Sequence, residues 1–167
     1  DEDYVIASDT DSVYVCLDKL VKKNCEGKSK DDIVNYLDKV STKVLEPYIE
    51  KRYDELAKIM NAYSNKMIMK REVIASTGVW TAKKRYMLNV FESEGVRYAE
   101  PKVKIMGIET SRSSTPQVVR DSLKEMIKIV MNGNEEEIQV AVKKFKTKFE
   151  SLEPEDIAFP RGVSNVK

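Results

Sequence analysis

The chain has 167 residues, 41% apolar and 34% charged, with 29 cations against 28 anions. That length supports one domain with a real core or parts of two; the balance fits a soluble globular protein, and no apolar run approaches the roughly 20 residues of a membrane helix. Histidine is absent, which excludes Ser-His-Asp and Cys-His catalysis, HExxH zinc sites and imidazole acid–base chemistry.

The acidic opening Asp1-Glu2-Asp3 does not read as a signal peptide. Residues 4–8 and 12–17 are β-rich runs flanking Asp9-Thr10-Asp11, which predicts a hairpin with an acidic turn. Cys16 and Cys25 fit no zinc spacing and read as reduced thiols of an intracellular protein. Residues 24–30 read as a polar loop, and Ser29 with Asp32 resembles a capping box, with Asp in place of the usual Glu or Gln. Ile33, Leu37, Val40, Val44 and Tyr48 recur at helical spacing. Tyr53, Leu56, Met60 and Tyr63 continue the stripe beyond Pro47, which is expected to kink or split the helix. The stripe is expected to be core and the Lys/Asp/Glu face solvated.

The period then shortens. Residues 66–75 and 79–91 are rich in β-branched and aromatic side chains, Gly78 and Gly95 mark turns, and Val103 to Ile108 alternate after Pro101. Met67 and Met69 read as strand filling. Thr115 is expected to cap a helix with Pro116 in its first turn. Val118, Leu123, Met126, Ile127, Val130 and Met131 supply that helix's apolar face. Asn132-Gly133-Asn134 ends it, residues 135–150 predict a second, amphipathic helix, and the tail with Pro154, Pro160 and Gly162 reads as irregular. A hairpin, a long helix, antiparallel strands and then helices, with no βαβ rhythm and no repeat, describe an α+β chain: an antiparallel sheet with a packed long helix, followed by a helical segment. The boundary is expected near Gly107.

Without imidazole, chemistry rests on carboxylates, hydroxyls, Lys and Arg, with or without a metal. Asp9 and Asp11, at i and i+2 in a tight turn, project the same way and repel each other. A divalent cation such as Mg²⁺ relieves that repulsion, and paired ions of this kind stabilise both oxygens of a phosphoryl transfer. Asp also suits turns through local backbone bonds, so both readings stay open. An EF-hand is excluded, because Val13 and Val15 occupy ligand positions. Further on, Val79 to Val90 taken as one strand puts Trp80, Ala82, Lys84, Tyr86, Leu88 and Val90 on one face, with Lys83 and Arg85 opposite. Lys84 then either snorkels at a sheet edge or faces a ligand with π surface and acceptors, such as the minor groove of a duplex. Thr110 to Pro116 gathers hydroxyls, an Arg and a helix start. That suits phosphate oxygens or an ordinary capped connector. Residues 83–120 hold eight Lys or Arg against four acids, a local charge of +4, in a chain of net charge +1. Such asymmetry is the footprint of a polyanion binder.

In order, these motifs are Asp-Thr-Asp-Ser in the hairpin, Lys-Lys-Arg-Tyr, Arg97-Tyr98-Ala99-Glu100-Pro101, and Lys-Ile-Met-Gly-Ile-Glu-Thr leading to Ser-Ser-Thr-Pro. From Tyr4 to about Leu152 the chain resembles family B DNA polymerases, in particular the replicative enzymes of T-even-type bacteriophages. The resemblance implies that Asp11 binds the catalytic Mg²⁺ ions in the palm, with Asp9 its partner on the turn. Lys84 would reach the minor groove at the primer end and Tyr86 would lie beside the primer terminus, with Lys83 and Arg85 in the same motif. Glu72 matches a carboxylate near the metal site, although Lys70 stands where the family often has an acid, and Ser8 stands where it usually has Gly.

Residues 1–107 would be the C-terminal part of the palm and residues 108–167 the start of the thumb. There Ser111, Arg112, Ser113 and Ser114 would meet the primer–template backbone. The family's upstream metal-binding aspartate, fingers helix and 3′–5′ exonuclease have no counterpart in this sequence. The resemblance therefore implies a segment inactive by itself, whose parent performs template-directed nucleotidyl transfer. Its partners would be primer–template DNA, a deoxynucleoside triphosphate, the remainder of the polymerase and a sliding clamp, with no membrane, in the cytoplasm of an infected bacterium. The rival expectation is a non-catalytic α+β nucleic-acid-binding or scaffold module, whose acidic turn is only a turn.

Overall fold

Alternating β-branched residues on either side of Asp9-Thr10-Asp11 form the expected hairpin in the computed structural model, which describes residues 3–159 and 162. Asp1, Glu2 and Pro160 lie outside the described residues. Strand β1 (Val5–Asp9) pairs antiparallel with β2 (Ser12–Val15), from Val5 opposite Val15 to Asp9 opposite Ser12, with a register shift between Val5 and Ala7. Helix α1 (Asp18–Asn24) follows, which no periodicity announced; Asp18 and Lys22 pair at 2.6 Å along its exposed side. Ser29 caps α2 (Lys30–Val40) as expected: its hydroxyl accepts from the Asp32 N–H at 3.2 Å and donates to the Asp32 carboxylate at 2.6 Å.

The long helix divides just ahead of Pro47, as expected. Residues Ser41–Leu45 widen into a π turn, and α3 (Glu46–Ile59) begins with Pro47 in its first turn. A proline clashes with the carbonyl four residues back and brings no N–H. The wider turn accommodates it: the Glu46 N–H reaches back to the Ser41 carbonyl, while the Ser41 hydroxyl bonds the Leu37 carbonyl at 2.9 Å. The apolar stripe is not the core expected of it: Ile33, Leu37, Val40 and Tyr53 are half-buried, Val44, Tyr48, Leu56, Met60 and Tyr63 are exposed, and the buried apolar residue of α2 is Val34, outside the stripe.

Strands also start later than the β-rich composition of residues 66–75 indicates. The stretch before Val73 is irregular because its polar groups bind side chains rather than another strand. Asn65 Nδ2 donates to Asp54 at 2.8 Å, the Met67 N–H to Asn65 Oδ1 at 2.9 Å, and the Arg71 N–H to Glu46 Oε1 at 3.0 Å. Met67 and Met69 therefore fill no strand, and Met67 is exposed. Strands β3 (Val73–Ala82), β4 (Arg85–Ser93) and β5 (Val96–Met106) form a second antiparallel sheet in the order β3-β4-β5. Gly95 lies in the β4–β5 turn with φ +83°, as expected. Gly78 does not turn the chain; it sits inside β3, where a Cβ would fall 2.6 Å from the Trp80 ring and 2.9 Å from Leu88. The run from Trp80 to Val90 is thus not one strand but two, joined at Lys83-Lys84.

Cα packing divides the chain into two compact units, residues 1–75 with 90–101 and residues 76–89 with 102–167. In the first, Cys25, Val34, Ile74 and Val90 are the buried apolar side chains among the described residues. Charge is buried there too. Glu92, its side chain 4% exposed, meets Arg71 at 2.5 Å and Arg97 at 3.5 Å, and Arg71 also meets Asp38 at 2.7 Å. Burial works to lower the Arg71 pKa, but its bonds to Asp38 and Glu92 outweigh this and hold it above the ordinary value.

In the second unit, Met87, Ile127 and Met131 form a core with Val79, Val103, Ile105 and Ile108 against it. Ile127 and Met131, at i and i+4, belong to α4 (Gln117–Asn132). Its N-cap is Pro116, not Thr115, whose side chain makes no cap bond and is buried. Asn134 caps α5 (Glu135–Glu150) with a full capping box closed by Glu137, so the helix predicted over 135–150 keeps those bounds. One-turn helix α6 (Pro154–Ile157) interrupts the expected irregular tail. No helix among the described residues is long and apolar enough to cross a membrane.

Candidate functional site

The β1–β2 turn is closed as tightly as the chain allows. Asp9 pairs with Ser12 across only Thr10 and Asp11, and Thr10 takes φ +55°. A β-branched residue at positive φ is an outlier, and such strain persists where the surroundings over-determine it. The Thr10 hydroxyl donates to Asp9 Oδ1 at 3.1 Å and the Ser12 hydroxyl to the Asp9 carbonyl at 3.1 Å. Asp9 is half-buried and Asp11 exposed. Thr10 thus holds the inner carboxylate, Ser12 pins the Asp9 backbone, and the outer carboxylate is left exposed. Glu72 is exposed just before β3, its carbonyl accepting the Glu94 N–H at 2.7 Å. Among the described residues no three His, Cys, Asp or Glu side chains gather into a metal-holding group, so Glu72 does not complete one with Asp9 and Asp11.

Lys83 and Lys84 form the exposed tip of the β3–β4 hairpin, with Lys84 at φ +61°. This departs from the single-strand reading, in which Lys84 interrupts an apolar face: at a two-residue turn the period-two alternation breaks. Both lysines lie in the turn itself, and Arg85 and Tyr86 begin the return strand. Tyr86 and Trp80 stack across the hairpin, ring centroids 6.2 Å apart. The Thr81 hydroxyl donates to the Arg85 carbonyl at 3.3 Å.

The second basic motif adjoins the first. A 3₁₀ turn (Glu109–Ser111) follows β5, and Glu109 meets Arg85 at 3.5 Å. The Arg112 N–H donates to the Glu109 carbonyl and the Thr115 N–H to the Arg112 carbonyl, both at 3.2 Å. That folded connector leaves Arg112, Ser113 and Ser114 exposed; of Ser111 only the backbone is described. The Lys-Lys-Arg-Tyr tip and the hydroxyl-rich connector therefore lie in one unit, while the acidic turn and Glu72 lie in the other.

Sequence reading missed Glu109 as the Arg85 partner and the Arg71–Glu92 clasp; such long-range pairs leave no local periodicity. Two of the four acids already counted in the local charge of +4 have partners within that stretch: Glu92 meets Arg97 at 3.5 Å and Glu109 meets Arg85 at 3.5 Å, while Arg97 also bonds Asn35 at 3.0 Å.

The chain thus carries a carboxylate turn in one unit and, in the other, a cationic, hydroxyl-rich surface of the kind that suits a polyanion. Comparison with known proteins gives the same direction. The model of the divergent family B DNA polymerases matches residues 2–157. The DNA-directed DNA polymerase of Enterobacteria phage T4 is 41% identical over 176 residues, covering 99% of this chain and 20% of that protein. The DNA-directed DNA polymerase of Escherichia phage RB69 is 44% identical over 144 residues, covering 80% of this chain and 16% of that protein. The chain thus spans a fifth or less of the length of the curated relatives it matches. Matched by the family model over nearly its whole length, the chain belongs to the divergent family B DNA polymerases.

Proposed function

We propose that the chain supplies one metal-binding motif and part of the primer–template surface of a phage-encoded, DNA-directed DNA polymerase acting in an infected bacterium. The observation that carries this reading is the strained turn presenting Asp9 and Asp11 in a member of that family. Residues 1–107 correspond to the C-terminal palm and residues 108–167 to the start of the thumb. The reaction is attack of a primer 3′-oxygen on the α-phosphorus of a deoxynucleoside triphosphate, with pyrophosphate leaving.

The donor set fits Mg²⁺, which is commonly held by one or two carboxylates together with substrate phosphates and water. Asp9 and Asp11 would hold it; Glu72 is in the same unit but does not gather with them. When bound, the metal neutralises charge developing on the phosphate and favours the attacking oxygen. Asp11 is exposed to solvent, while the Thr10 hydroxyl orients the Asp9 carboxylate and the Ser12 hydroxyl holds the Asp9 carbonyl. Lys84 and Tyr86 orient the primer end, a proximity effect rather than chemistry. Lys83, Arg85, Arg112 and the Ser111, Ser113 and Ser114 hydroxyls bind backbone phosphates. The exposed apolar residues of the first hairpin (Tyr4, Val5, Ile6, Val13 and Val15) support the remainder of the polymerase as a partner. A sliding clamp completes the expected partners.

The test is Asp11→Ala in the polymerase that carries this segment. Nucleotide incorporation is expected to fall at least about 10²-fold, the scale of losing one transition-state electrostatic contact. Affinity for a primer–template duplex is expected to stay within about twofold, because this carboxylate makes no backbone contact. Undiminished incorporation would return the turn to a structural role and favour a non-catalytic binding module.

A further inference from the structure

The Lys84 turn is held from beside. Lys84 adopts φ +61°, a left-handed backbone conformation that a lysine enters at a cost. Gly107, directly after β5, has φ +67°. A Cβ built on Gly107 would fall well inside 3.0 Å of the Lys84 carbonyl oxygen, and 3.2 Å from both the Lys84 carbonyl carbon and Arg85 Cγ. Two residues on, Glu109 meets the Arg85 guanidinium at 3.5 Å. The end of β5 therefore closes on the tip of the β3–β4 hairpin at backbone distance, and only a residue without a side chain permits that approach.

We infer that Gly107 is a positioning residue for Lys84: by letting β5 lie against the Lys84 carbonyl, it fixes the left-handed turn that presents the Lys83-Lys84 tip to the primer–template duplex. A larger residue pushes the carbonyl away, and the turn relaxes to a conformation in which the Lys84 side chain leaves from a different direction. The inference rests on the proposed DNA contact of Lys84. Gly107 itself touches no substrate; it acts through the turn.

A double-mutant cycle in the polymerase that carries this segment tests this, with a fluorescent primer–template duplex as the probe. Lys84→Ala is expected to weaken duplex binding by about tenfold, the loss of one charge-assisted contact. Gly107→Ala is expected to weaken it by about three- to tenfold, yet by less than about twofold once Lys84 is already Ala, since the two changes remove one interaction. Incorporation at saturating duplex should fall no further in Gly107→Ala than in Lys84→Ala, because the glycine acts only through that lysine. Gly107→Asn, which tolerates the left-handed backbone but keeps a Cβ, should behave like Gly107→Ala. Equal weakening by Gly107→Ala in both backgrounds, or none in either, overturns the inference and leaves the DNA contact of Lys84 standing. Wild-type affinity in Lys84→Ala instead removes the proposed contact itself, and the inference with it. Failure of both Gly107 variants to fold assigns the glycine to folding and overturns the inference as well.

Discussion

Truncating Arg71 to Ala should remove the clasp at the centre of the first unit, and the geometry sets the size of the effect. Glu92, its side chain 4% exposed, would keep only Arg97, at 3.5 Å. Removing one partner of a buried pair costs about 3–5 kcal/mol. Two features reduce that figure here. Asp38 is 40% exposed, so its share is that of a surface pair, about 0–1 kcal/mol. Arg71 Nε and Nη1 are buried without a hydrogen-bond partner, a cost of the native state that the truncation relieves. A net loss of about 2 kcal/mol follows from these opposing contributions. In urea unfolding, with a slope of about 1–3 kcal/mol/M, the midpoint should fall by about 1 M. The double variant Arg71→Met/Glu92→Leu should recover most of the loss, because apolar replacements of a buried pair are often neutral. The raised Arg71 pKa keeps the guanidinium charged: its contribution is fully present below its ordinary value and disappears only as pH rises through the higher folded one, far above neutrality. A loss below about 0.5 kcal/mol for Arg71→Ala would refute the reasoning and place the clasp among solvent-screened surface pairs.

The basic surface makes a salt-dependent prediction. Arg112→Ala should weaken duplex binding evenly across sequences and lower the slope of log K against log salt by about 0.9, one phosphate contact; an unchanged slope would mean that Arg112 touches no phosphate. Asn134→Ala opens the capping box of α5 and should cost about 1 kcal/mol, read as a lower melting temperature. No loss of stability there would mean that the last helices unfold independently of the cap. Asp11→Ala remains the test of the chemistry, and Gly107→Ala the test of how the basic tip is aimed.

Features governed by neighbours along the chain were legible without coordinates. The acidic hairpin, the Ser29 cap and the helix over 135–150 depend on turn chemistry, caps and periodicity within a few residues. So did the motif order that marks the family, because Asp-Thr-Asp-Ser and Lys-Lys-Arg-Tyr are contiguous. What failed was whatever needed a partner distant in sequence. Residues 66–72 have strand composition, yet they bond to helix side chains as far back as Glu46. Trp80 to Val90 alternates like one strand but folds back at Lys83-Lys84, because β3 and β4 pair with each other and β5 supports the tip.

The sequence by itself determined which residues carry charge, where the chain turns on its own acids and which family its motifs spell. Only the tertiary structure decided that Lys84 stands on a left-handed tip against Gly107 and that Arg71 is clasped by Asp38 and Glu92. The physical reason is range. Caps and turns are fixed by hydrogen bonds a few residues apart, whereas close backbone approach and buried ion pairs exist only after distant segments have packed.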